Sequence, residues 1–138
     1  MERAVLGGGC FWCTEGAFKH MRGVESALPG YAGGHVDNPT YNAVCNGVTG
    51  HAEVVEVLYD ESVISYETIL EVFFTVHDPT QLNRQGNDIG TQYRSAIFYV
   101  DENQKMIAEN VKSRFQEYFD EEIVTEISPI SNYYEAEK

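Results

Sequence analysis

Basic residues, cysteines and long apolar runs are what this chain has least of. Nine lysines and arginines stand against 22 aspartates and glutamates, a formal net charge of −13. No basic stripe exists to neutralise phosphates, so nucleic acid is excluded as a partner. No stretch approaches the uninterrupted apolar length of a transmembrane helix, so no membrane role is expected. A cationic leader followed by an apolar segment and a cleavage site is also missing, and a cytoplasmic protein is expected. Three cysteines are an odd number without the spacing of a secreted disulfide framework. That favours a reducing compartment and thiols kept for chemistry. Repeats, low-complexity tracts and long linkers are absent, so residues 1–138 read as one domain, expected to be a monomer. The late acidic cluster Glu117, Asp120, Glu121 and Glu122 reads as a solvated helix end.

The most informative stretch present is Gly7-Gly8-Gly9-Cys10-Phe11-Trp12-Cys13. An apolar strand, Ala4-Val5-Leu6, runs into three glycines that are expected to turn, and Phe11 to Met21 reads as helix. A cysteine at a helix N-terminus faces unsatisfied N–H groups and the positive end of the helix dipole. Both favour the thiolate, which is the nucleophile. A second thiol three positions on lies within disulfide reach.

Further along, Val24 to Tyr31 reads as a strand and Gly33 to Gly50 as a long polar loop with one helical turn at Tyr41 to Asn46. Glu53 to Tyr59 alternates as a strand, with Val55, Val57 and Tyr59 on its core face. Glu53 shares their parity and is expected to point inward at the strand's edge. Ser65 is placed to cap a helix whose apolar stripe is Tyr66, Ile69, Leu70, Phe73, Phe74 and His77, ended by Asp78-Pro79. A second polar loop covers Thr80 to Arg94, followed by a strand from Ser95 to Val100. Asp101 caps a helix with Ile107, Val111, Phe115 and Tyr118 on its inner face, and Val124 to Ile130 forms a last, edge strand. The order strand–helix–strand–strand–helix–strand–helix–strand predicts an α+β two-layer sandwich, a mixed sheet with packed helices on the ferredoxin-like plan.

Three chemistries fit the thiols. The glycine turn and helix start favour a redox pair at Cys10 and Cys13. A zinc site from Cys10, Cys13, Cys45 and His51 is weaker, because the second pair lacks tight spacing. A thioredoxin-like dithiol would ordinarily carry small residues and proline where Phe11 and Trp12 stand.

The two polar loops decide among them. Gly-Cys-Phe-Trp, Tyr31-Ala32-Gly33-Gly34, Gly50-His51-Ala52-Glu53 and Asp88-Ile89-Gly90-Thr91-Gln92-Tyr93-Arg94-Ser95 occur in this order from residue 7 to about residue 100. Together they closely resemble the A-type peptide methionine sulfoxide reductases.

The resemblance implies that Cys10 attacks the sulfur of methionine S-sulfoxide, free or in proteins. Glu53 matches the family's acid at the sulfoxide oxygen, a role suited to a carboxyl whose desolvation raises its pKa. Tyr41 and Tyr93 match tyrosines that donate to that oxygen, and Asp88 a carboxylate that orients substrate or water. Phe11 and Trp12 match the pocket for the substrate methyl group. His51 is expected to support the loop around Glu53. A sulfenic acid on Cys10 would be condensed to a disulfide by a second thiol, then reduced by thioredoxin or a similar dithiol, with no metal or organic cofactor. Cys13 stands where the family usually has glycine, and no cysteine follows Cys45. The implied resolving thiol is therefore Cys13, with Cys45 second. Tyr133 to Lys138 resembles the start of a family segment that usually continues further.

Overall fold

Ala4, Val5 and Leu6 have no exposed surface, which requires a strand covered on both faces. In the computed structural model, which describes residues 2–9 and 11–136 and only the backbone of Phe11, Trp12 and Cys13, that strand is β1 (Glu2–Gly8). It lies inside a six-stranded sheet. After it come α1 (Phe11–Phe18), β2 (Val24–Ala32), the short α2 (Tyr41–Cys45), β3 (Ala52–Tyr59) and α3 (Tyr66–Val76). A two-residue hairpin of β4 (Arg84–Gln85) and β5 (Asp88–Ile89) precedes β6 (Ser95–Tyr99), α4 (Glu102–Phe115), β7 (Glu126–Pro129) and β8 (Tyr133–Glu135).

The sheet order is β7-β6-β1-β3-β2-β8, with β6 and β7 parallel and every other pair antiparallel. Its inner four strands, β6-β1-β3-β2, are joined through α1 and α3 as two interleaved split βαβ units. This is the expected ferredoxin-like plan in a mixed sheet. The strands β7 and β8 extend it at opposite edges.

One face of the sheet holds the main core. Leu6, Val55, Val57 and Ile97 meet Phe18 of α1, Ile69, Leu70 and Phe73 of α3, and Ala108 and Val111 of α4. The α3 stripe is the one its periodicity predicts, and the Ser65 side chain accepts from the Thr68 N–H at its start. The opposite face is thinner: Val5, Ala32, Ala52, Val54, Ala96 and Phe98, packed with Ile130 and Tyr133.

Four expectations change. Gly7 and Gly8 belong to the strand, paired with Ala96 and Ser95, and only Gly9 turns, at φ +95°. These glycines serve close approach: a Cβ at Gly8 would lie 3.1 Å from His77 Cγ. Helix α1 ends at Phe18 rather than Met21, because exposed Lys19 and His20 offer no core face and Gly23 takes φ +91° against Ile64. Tyr118 is 78% exposed, because the chain tightens into a 3-10 turn at Gln116–Tyr118 that carries it off the stripe. Finally, Tyr133–Glu135 forms a strand on β2, its approach secured by Gly30, against which the Tyr133 ring packs.

Candidate active site

Several chain reversals converge at one end of the sheet: the end of β1, the starts of β3 and β6, and the end of α3. Glu53, the second residue of β3, lies opposite Tyr31 on β2. It is 2% exposed, on the face that continues through Val55 and Val57. Strand parity thus delivers a carboxyl into the protein interior.

Tyr93 ends a 3-10 turn, Thr91–Tyr93, that follows Gly90 at φ +146°. Burial pushes the Tyr93 phenol up to about 12. The negative charges of Glu53, Cys45, Asp88 and Tyr41 add to that shift, in that order. Three sequence-predicted site residues, Glu53, Asp88 and Tyr41, and with them Cys45 therefore lie close enough to one phenol to act on its proton. The phenol stays protonated at neutral pH and can donate a hydrogen bond.

Tyr41 and Cys45 reach this cluster on α2, with Tyr41 at its start and Cys45 at its end. The Thr40 side chain caps the helix by accepting from the Ala43 N–H at 3.1 Å. Tyr41 is half-exposed at 41%, so the cluster opens to solvent on its side. Asp88 lies exposed on the β4–β5 hairpin, paired with Gln85. Helix α1 starts where the dithiol motif was expected to start one. Cys10 itself, and the side chains of Phe11, Trp12 and Cys13, lie outside the described residues.

His51 braces the first loop. Its Nδ1 accepts from the Gly34 N–H at 3.0 Å and its Nε2–H donates to the Val36 carbonyl at 2.7 Å. Both ring nitrogens are thus committed to the backbone, which removes His51 as a ligand in the zinc alternative. Among the described residues, no group of three or more His, Cys, Asp or Glu is placed to hold a metal ion.

Four residues at this end were not singled out for a role there by sequence reasoning. Buried Gln92 donates from Nε2 to the Cys45 carbonyl at 2.8 Å, tying the Tyr93 turn to α2. Arg94 donates to the Gly50 and Thr91 carbonyls and pairs with Glu126 at 3.0 Å, joining both loops to β7. His77 donates from Nδ1 to the Phe73 carbonyl at 2.6 Å, and its Nε2 accepts from Ser95 Oγ at 2.7 Å. Ser95 in turn meets Thr125 Oγ1 at 2.7 Å. Burial pulls the His77 pKa down to about 4, against the opposing effects of the Phe73 carbonyl and the Asp78 charge. Gln85 is bonded at both ends of its amide to the Asp78 backbone. The signal available was the polar loop composition; nothing in residue spacing identifies the backbone atoms these side chains reach.

Comparison with known proteins gives a consistent result. The profile described as peptide methionine sulfoxide reductase matches residues 2–138. The chain is 58% identical over 137 residues to the peptide methionine sulfoxide reductase MsrA of Saccharolobus solfataricus, covering 99% of this chain and 77% of that one. The MsrA of Natronomonas pharaonis is also 58% identical over 137 residues, covering 98% and 77%. Among solved structures, reduced Mxr1 from Saccharomyces cerevisiae superposes with a TM-score of 0.94 at 36% identity, covering 99% of this chain and 80% of that one. Mxr1 in complex with Trx2 gives 0.75 at 27% identity, covering 99% and 81%. Motif order, sheet topology and these similarities lead to one conclusion: the chain belongs to the peptide methionine sulfoxide reductase family.

Proposed function

We propose that this protein reduces methionine S-sulfoxide, free or in proteins, to methionine, and so repairs oxidative damage in the cytoplasm. The observation that carries this reading is the cluster of proton donors at the sheet end. Buried Glu53 and the high-pKa Tyr93 lie together with Tyr41 and Asp88, at the end of the molecule where β1 runs toward Cys10.

The Cys10 thiolate attacks the sulfoxide sulfur. Glu53 supplies a proton to the oxygen, and the tyrosine hydroxyls stabilise the charge developing there. The sulfoxide S–O bond and the transient bond between Cys10 and the substrate sulfur break as oxygen passes to Cys10, giving a sulfenic acid and releasing methionine, its sulfur reduced by two electrons while Cys10 is oxidised by two. Phe11 and Trp12 hold the substrate methyl group, and Asp88 orients substrate or water. A second thiol then attacks the sulfenic sulfur and expels water, forming a disulfide that thioredoxin or a similar dithiol reduces by exchange. Cys13 is the first choice for that thiol. Cys45 is the second, supported by its place beside Tyr93. No metal or organic cofactor enters these steps.

Dithiothreitol-supported reduction of resolved S and R epimers of a methionine sulfoxide derivative tests the reading, with Cys10→Ser alongside. Turnover of S alone, lost in the variant, is expected. Turnover of neither epimer by folded protein, together with efficient disulfide reduction, would replace it with a general dithiol oxidoreductase. Cys13→Ser should retain one turnover and lose thioredoxin recycling; normal recycling would move the resolving role to Cys45 or to an external thiol.

A further inference from the structure

The turn that leads to Cys10 is held from beneath by a residue the chemistry above does not use. Gly9 is the one glycine of the motif at positive φ, +95°. A Cβ there would lie 2.7 Å from both Cβ and Cγ of Gln85, so the Gln85 stem packs directly on the Gly9 backbone. The far end of that side chain is fixed twice. Its Oε1 accepts from the Asp78 N–H at 2.9 Å, and its Nε2 donates to the Asp78 carbonyl at 2.9 Å.

Asp78 is itself immobilised. Its carboxylate accepts from the Thr80 N–H at 3.0 Å and from Thr80 Oγ1 at 2.6 Å. The preceding residue, His77, lies against Gly8 and is anchored to Phe73 and Ser95. Gln85 also pairs with Asp88 across the hairpin. One side chain therefore joins the end of α3, the hairpin bearing Asp88 and the residue immediately before Cys10. An amide with both ends bonded has no rotamer freedom left to let Gly9 drift.

We propose that Gln85 is a positioning residue for the reductase reaction: clamped to Asp78, it sets the Gly9 backbone and with it the approach of Cys10 to the sulfoxide. The proposal rests on the reading of Cys10 as nucleophile. A displacement of about 1 Å in a reacting group can cost on the order of a hundredfold in rate. Gln85 touches no reacting atom in this scheme, so its loss should fall on kcat rather than KM.

The test uses the full chain with Gln85→Ala, Gln85→Met and, as a control for general destabilisation, Ile69→Val in the distant α3 core. Two quantities are read: kcat and KM for the S epimer, and the pH profile of Cys10 alkylation by iodoacetamide, resolved by peptide mass spectrometry. For Gln85→Ala, kcat should fall by about tenfold or more, KM should stay within about twofold, and Cys10 labelling at pH 7 should slow. Gln85→Met keeps the stem that covers Gly9 and should recover part of both losses, while Ile69→Val should move neither. Wild-type kcat and labelling in Gln85→Ala would overturn the proposal, as would equal losses in Ile69→Val at matched melting temperature. Labelling needs no sulfoxide, so it still reports on Gln85 if the wild-type chain reduces none.

Discussion

The two ends of the sheet are built from different materials. At the end where β1 leads to Cys10, the buried side chains include Glu53, His51, Thr49, Gln92, Ser95 and Thr125. At the other, Tyr59 stacks on Tyr66 at 6.4 Å, and buried Gln104 is bonded to the Arg3 carbonyl and the Val100 N–H. Burying polar groups is costly unless each finds a partner, and such groups are conformationally exacting once they do. The polar end trades stability for defined geometry; the apolar end and the helix-covered core between them supply the stability that permits it.

That contrast can be broken at either end. The largest effect should follow Glu53→Gln, which keeps the shape of the side chain and removes its proton. A loss of about two to four orders of magnitude in kcat is expected, with little change in melting temperature; initial rates with the S epimer and a thermal melt check both halves. Next comes Leu70→Ala in the core, expected to cost about 2–5 kcal/mol in urea unfolding while folded protein keeps its turnover per molecule. A comparable loss of turnover there would erase the distinction between the two regions.

His77 sharpens the comparison through pH. Its pKa is about 4 in the folded protein against 6.5 as the ordinary value. Between these the unfolded chain binds more protons, so stability is fully present above pH 6.5 and is lost as pH falls toward 4. The shift corresponds to about 3 kcal/mol at most. Urea midpoints measured across that window should fall with pH, and His77→Asn should flatten the slope. The smallest effect belongs to the far side: Asp101→Ala removes the side chain that accepts from the Gln104 N–H at 2.8 Å. It should cost about 1 kcal/mol of stability and leave kcat untouched.

Legibility in the sequence follows the same division. Wherever a residue's place depends on its own element, periodicity found it: the parity of β3 put Glu53 inside, and the 3.6-residue stripe named the buried face of α3. Ser65 and Asp101 were readable as caps because a cap acts three residues away. Tyr118 was misplaced because a stripe carries no sign of where an α-helix tightens. Gly7 and Gly8 read as turn residues because low strand propensity says nothing about a neighbouring ring. Gln85, Gln92 and Arg94 escaped altogether. Each has a main-chain partner, 7, 47 and 44 residues away for Asp78, Cys45 and Gly50 respectively, and every residue carries such atoms. Family motifs named the chemistry that pattern alone left open between a redox pair, zinc and a thioredoxin-like dithiol.

The strand β8 and the turn before it have a consequence in time. Asn132 accepts from the Gly33 N–H and donates to the Gly34 carbonyl, and Tyr134 donates to Asp37, across sequence separations of 99, 98 and 97 residues. The loop that carries Tyr41 and Cys45 is therefore fastened by a segment the ribosome makes about a hundred codons later. At roughly 5–20 residues per second, the nascent chain carries that loop for several seconds before the fastening can form. Over that interval the loop lacks its clasp, so the region around Tyr93 can take its final form only after the last strand has been made.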